Sequence, residues 1–232
     1  IFSEVMFFAA FFGALYWARV FAPRGSALAS LWTSVGIACL TVLVTLAVAI
    51  PAGYALARLK LPARTLILLV FLLPQAVPNL PVYVNIARVF YELRLNGTVT
   101  GVVLVHAAHG LVLAVWIASA AFAAVDASLE EAARNMGASA WRCWTTVTLP
   151  LALPGLIASA IFVFLESLDE FTGTFFIGLP FVSTLPMLLY SSSGFNLQFA
   201  SVIAIVLLIP SILFMVIIER FLKAEYIGGI GV

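Results

Sequence analysis

The chain has 232 residues, 64% hydrophobic and 9% charged, with a mean hydropathy of +1.19 and a formal net charge of +1. A soluble domain carries roughly a quarter charged residues, so a soluble enzyme or a nucleic-acid-binding module is excluded and an integral membrane protein is implied. Two cysteines, Cys39 and Cys143, are far apart and lack metal-ligand spacing, which argues against a disulfide framework or a metal set.

A hydrocarbon core of ~30 Å needs about 20 mostly apolar helical residues. Runs of that kind lie at 5–21, 31–56, 66–90, 99–124, 151–177 and 199–222. Backbone groups find no water in lipid, so such runs must be helices, and the predicted fold is all-α, a polytopic bundle of about six spans. No cleavable signal peptide is legible before the first run, and the sequence starts at Ile1 rather than at a methionine. In the third run "LLPQAVPNLP" carries Pro74, Pro78 and Pro81, which should bend or unwind it, and Gln75 and Asn79 are candidates for a pathway lining. The fourth run holds His106 and His109 one helical turn apart with no carboxylate near them in the run, which reads as helix contacts rather than a metal site.

Between the fourth and fifth runs lies "SLEEAARNMGASAWRCWTTVTLP", polar and amphipathic in an otherwise apolar chain. Ser128 followed by Glu131 has capping-box spacing, with Glu130 and Glu131 favourably placed in the first turn, Gly137 is a predicted left-handed helix end, and a second short helix from Ala138 should run to Pro150, which is placed to open the next span. The fifth run ends in "FLESLDEFTGTFF", where Glu166, Asp169 and Glu170 fall at i, i+3 and i+4 and should share one helix face. Ionisable residues in a membrane helix are costly and mark pathways, so the three form either a candidate acidic wall for a cation or the solvated end of the emerging helix. Of the eleven Lys and Arg, seven (Arg58, Lys60, Arg64, Arg134, Arg142, Arg220, Lys223) fall on one side if the polar segment and both termini face the cytoplasm. The others are Arg19, Arg24, Arg88 and Arg94.

Glu131-Ala132-Ala133, three residues, Gly137, nine residues, Val147, one residue, Leu149-Pro150 resembles the EAA signature of type I ABC-importer permeases, with Val147 in place of isoleucine. "TSV" at residues 33–35 and "PAGYALAR" at 51–58 extend the resemblance along most of the chain. It implies a single permease domain over 1–232 with a cytoplasmic coupling loop at 126–150, in which those seven motif residues contact the ATPase. It also implies a multi-pass protein of the bacterial cytoplasmic membrane, partnered by two ATPase subunits, a second permease subunit and an extracytoplasmic substrate-binding protein. No G-x-x-x-x-G-K-[ST] phosphate loop occurs, so the expectation is a transport subunit without an enzymatic activity or cofactor of its own, with ATP and magnesium on the partner.

Residues 167–190, "SLDEFTGTFFIGLPFVSTLPMLLY", resemble spermidine/putrescine-type permeases, which implies a polyamine or similar small cation. Permeases of the same family for iron, thiamine, phosphonate, opine or sugar are the alternatives. "SEVMFFAAFF" at residues 3–12 is similar to a short piece of cytochrome c oxidase subunit III, and a membrane oxidase subunit is the rival class. Two histidines do not supply the paired ligands that haem or copper requires.

Overall fold

The second apolar run begins as Gly25 stands extended and continues as α1, Ser26–Arg58, a helix of 33 residues. At about 1.5 Å per residue it exceeds the ~30 Å hydrocarbon core. Its buried residues are Ala27, Ser30, Ser34, Ile37, Ala38, Thr41, Thr45, Ala49, Gly53 and Leu56, a stripe of mostly small and hydroxyl-bearing side chains at helical spacing. Leu40, Leu43, Val44 and Val48 face outward. In lipid, leucine gains little by leaving its surroundings, whereas small residues let two backbones approach, so the packed face is the less hydrophobic one.

This computed structural model describes residues 16–18, 20–22, 25–77 and 79–228, with the side chains of 74–76, 79, 214, 215 and 217–228 excepted. The first run, including Glu4, therefore lies almost wholly outside the described residues. Those described form helices, with no strand among them. After α1 come α2 (Arg64–Ala76), α3 (Asn79–Glu92), α4 (Val99–Ala124), α5 (Ala127–Asn135), α6 (Ala140–Cys143), α7 (Leu149–Asp169), α8 (Thr172–Gly178), α9 (Leu185–Ser193) and α10 (Leu197–Gly228). A π turn, Trp144–Thr148, joins α6 to α7 without a break.

Three helices among the described residues have both the length and the apolarity to cross a membrane: Ser26–Arg58, Val99–Ala124 and Ala140–Asp169. The other runs are divided. Around Val77, which is extended, the third run splits into α2 and α3, as its prolines predict. The fifth run stops at Asp169, where Glu170 turns extended, and resumes as the seven-residue α8. Apolarity gave no sign of that second break.

α4 is the centre of the bundle, with α1, α7 and α8 packed around it. α1 meets α4 most closely at Gly53, where an added Cβ would stand 2.7 Å from Ala118 Cβ and 2.8 Å from the Ser119 backbone nitrogen. Gly53→Ala therefore forces the two backbones apart, at about 1–3 kcal/mol. Its thermal midpoint in detergent should fall by roughly 2–4 °C for each kcal/mol, and Ala118→Gly in the same chain should recover part of it. An unchanged midpoint would contradict this packing.

A buried polar chain crosses the bundle. His106 Nδ1 lies 2.8 Å from Ser167 Oγ and its Nε2 lies 2.9 Å from Thr174 Oγ1, and Ser167 Oγ donates to Thr41 Oγ1 at 3.3 Å. One histidine thus joins α4 to α7 and α8, with α1 one step away. Each ring nitrogen has a partner, so His106 is the helix-contact group that its sequence position predicts.

Candidate coupling loop and membrane-embedded charge cluster

The polar segment folds as two short helices. Asp126 caps α5, its carboxylate accepting from the Ser128 backbone N–H at 2.9 Å. The predicted capping box of Ser128 and Glu131 does not form, because Asp126 already takes the free N–H group and Ser128 lies inside the first turn. That bond, Ser128's side chain and the nearby Arg58 hold the exposed Asp126 carboxyl below the usual carboxylate range. A carboxyl so lowered contributes helix stability above its unfolded value and loses it as pH falls through its folded one. On acidification below the ordinary carboxylate range, the protection of the amides of residues 127–130, taken relative to their intrinsic exchange rates at each pH, should fall in the wild type. In Asp126→Asn, which keeps an acceptor but cannot titrate, it should not.

The end of α5 agrees with the expectation for Gly137. Gly137 has φ +88°, its N–H donates to Arg134 O at 2.9 Å, and Ala138 N–H donates to Ala133 O at 3.1 Å. This is the Schellman pattern with glycine in the left-handed position. The second helix starts at Ala140 rather than Ala138, with Ser139 Oγ accepting from Arg142 N–H at 3.3 Å. Pro150 does stand in the first turn of α7, where a proline opens a span, but no break separates the two helices. Leu149 N–H reaches Trp144 O, five residues back, and this wider turn carries the helix past the proline, which has no N–H to offer.

The motif residues divide by exposure. Glu131, Ala132, Gly137 and Pro150 are exposed, Val147 and Leu149 half-buried, and Ala133 buried. Beside them Leu129, Met136 and Trp141 are 46%, 82% and 71% exposed. The loop presents a mixed charged and apolar surface, Asp126 and Glu131 with Arg134 and Arg142, and Trp141 is stacked on Trp144 at 5.2 Å. Facing the bundle instead is Glu130, which by sequence alone is an acidic residue of the first helical turn like Glu131. It accepts from Arg58 Nε at 2.8 Å and from the Thr148 hydroxyl at 3.0 Å.

The three carboxylates of the fifth run do not share a face. Glu166 and Glu170 are half-buried while Asp169 is exposed, and α7 ends at Asp169, so Glu170 leaves the helix that carries the other two. Glu170 Oε1 accepts from Gly173 N–H at 2.8 Å and so starts α8. Glu166 Oε1 lies 3.3 Å from His109 Nε2, an ion pair whenever the imidazole is protonated. Its Oε2 is buried without a partner, as is the Tyr83 hydroxyl. An added Cβ on Gly173 would stand 3.4 Å from the Tyr83 ring and 3.5 Å from Glu170 Oε1, which puts Tyr83 of α3 beside Glu170. The rings of Tyr83 and His109 are 6.3 Å apart. Helices α3, α4, α7 and the start of α8 thus bring two carboxylates, an imidazole and a phenol together.

His109 and Tyr83 belong to this cluster although neither was singled out as a pathway residue. The absence of a carboxylate near His109 in its own run proved no guide, since Glu166 arrives from another helix. The backbone at Gln75 and Asn79 flanks the break between α2 and α3, and their side chains lie outside the described residues. Among the described residues no group of three His, Cys, Asp or Glu could hold a metal ion.

Residues 49–226 match the family model described as binding-protein-dependent transport system inner membrane component. The ORF1 protein of Streptomyces antibioticus is 32% identical over 215 residues, spanning 91% of this chain and 93% of that protein. The trehalose transport system permease protein SugB of Mycobacterium tuberculosis is 30% identical over 213 residues, spanning 89% of this chain and 78% of that protein. A structure of the MetNI methionine ABC transporter in inward-facing conformations superposes with a TM-score of 0.65 at 18% identity, covering 85% of this chain and 94% of that one. The long apolar helices, the exposed loop and these similarities agree, and the chain belongs to the binding-protein-dependent transport system inner membrane component family, the permease subunits of ABC importers.

Proposed function

We propose that this chain forms, with a second permease subunit, the solute pathway of an ATP-driven importer of the bacterial cytoplasmic membrane. Its loop, residues 126–150, docks on one of two cytoplasmic ATPase subunits, an extracytoplasmic binding protein delivers the solute, and both termini face the cytoplasm. The chain itself carries no ATP site, and ATP and magnesium belong to the partner. The observation that carries this reading is the exposed helix pair of the loop, held at its angle by Gly137 and bearing Glu131 and Ala132 outward. A polar, solvent-facing helix between two membrane runs has a protein rather than lipid as its partner.

The solute passes the cluster of Tyr83, His109, Glu166 and Glu170. The chemistry there favours a small hydroxylated solute. Glu166 Oε2 is a free acceptor and the Tyr83 hydroxyl, which faces Glu170, keeps its acceptor lone pairs, groups that suit sugar-like hydroxyls, and two carboxylates repel oxyanions. The trehalose permease at 30% identity supports the same class. A polyamine is the second reading, favoured by Glu166, Asp169 and Glu170. It ranks below the first because Asp169 is exposed, outside the half-buried pair, and Glu170 is already engaged by Gly173 N–H.

The test is solute-stimulated ATP hydrolysis by the complex in proteoliposomes, screened over trehalose, maltose, spermidine, thiamine, iron and molybdate. Stimulation by a sugar is expected. Stimulation by spermidine alone would replace the first reading by the second, and stimulation by molybdate alone would contradict both.

A further inference from the structure

Glu130 and Glu131 are neighbours of one type with opposite surroundings. Glu131 is exposed on the loop, whereas Glu130 is 7% exposed and gathers bonds from three elements. Arg58, the last residue of α1, donates through Nε to Glu130 Oε1 at 2.8 Å and through Nη2 to Val125 O at 2.8 Å. The Thr148 hydroxyl, at the end of the π turn, donates to the same Glu130 oxygen at 3.0 Å. Cys143 Sγ, in α6, contacts Glu130 O at 3.7 Å. The guanidinium thus spans the link between α4 and α5, and a single carboxylate oxygen joins α1 to the entry of α7.

Chain connectivity explains why this matters. The loop is covalently continuous with α4 on one side and α7 on the other, but α1 reaches it through side chains alone. Apolar packing of Ile50, Tyr54 and Ala57 on the cluster of Ala118, Phe122, Val125, Ala152 and Leu156 keeps α1 beside its neighbours. Such packing has no direction of its own, whereas a planar guanidinium holding two acceptors fixes one. We propose that Glu130 is a positioning residue, and that through Arg58 and Thr148 it transmits movement of the ATPase-docked loop to the end of α1 and to the π turn. The inference rests on the docking reading above and adds the route by which α1 is moved.

The experiment is amide hydrogen exchange on the permease–ATPase complex in nanodiscs, nucleotide-free and trapped with Mg-ATP and orthovanadate, for the wild type, Glu130→Gln and Arg58→Gln. In the wild type, trapping should change exchange both in the loop, residues 126–139, and in residues 55–60, the last turn of α1 and the two residues after it. In each variant the loop should still respond and the response of 55–60 should be lost. The two variants cut the tie from opposite sides, so one that fails to assemble leaves the other to decide. A tie that only holds the loop in place would raise loop exchange without nucleotide and leave the α1 response intact, which would overturn the proposal. So would a wild type in which the loop responds and 55–60 does not. A wild-type loop indifferent to trapping would sink the docking reading, and this inference with it.

Discussion

Gly137→Val should abolish transport while the chain still inserts in the membrane. At φ +88° a β-branched side chain meets its own backbone, at a cost of about 1–3 kcal/mol. Nothing lies within 4 Å of the position a Cβ would take, so no clash with a neighbour adds to this. The penalty is confined to the turn, which relieves it by changing the angle between α5 and α6. Docking into a cleft depends on that angle, so a modest conformational cost has a large functional effect. Gly137→Asn, a residue that tolerates the left-handed region, should retain much of the activity. Uptake by Gly137→Val at the parental rate, measured in proteoliposomes, would contradict the proposed geometry.

Neutralising Glu166 and Glu170 together to Gln should reduce transport severely while basal ATP hydrolysis, which depends on the loop, is largely kept. Glutamine can still accept from Gly173 N–H, so the start of α8 survives and only the charge is removed. Turning two charge-assisted contacts into neutral ones, at about 1–1.5 kcal/mol each, amounts to roughly thirty- to a hundredfold in transport. Asp169→Asn should leave transport close to parental, because Asp169 is exposed and apart from the cluster. The polyamine reading requires the opposite, with each of the three substitutions costing transport. A double variant that transports normally would remove the cluster from the pathway.

Local features of the sequence were legible where one residue type has one structural use. Gly137 closes α5 in the left-handed conformation because no other residue adopts it so cheaply, and the prolines of 74–81 divide the third run because they cannot donate. Features that depend on which residue meets which were not legible. Two adjacent glutamates look alike in sequence, and only the position of Arg58 at the end of α1 turns Glu130 inward. His109 and Glu166 lie far apart in the chain and meet because α4 and α7 cross there. The packed face of α1 could not be read from hydrophobicity, since its outward face is at least as apolar. The break at Glu170 was hidden for a related reason, as a carboxylate that starts a new helix resembles one that decorates an old one.

ATP hydrolysis in a complex purified through this chain tests the central claim most directly. The chain should co-purify in detergent with a subunit that carries a phosphate loop. The reconstituted complex should hydrolyse ATP in an orthovanadate-sensitive way and increase its rate when the transported solute is added with its binding protein. Replacing Glu131 and Ala132 on the exposed loop with Lys and Trp should strip the ATPase subunit from the membrane without loss of the permease chain. A permease that purifies without an ATPase, or a loop variant that retains the subunit and full solute-stimulated hydrolysis, would contradict the account.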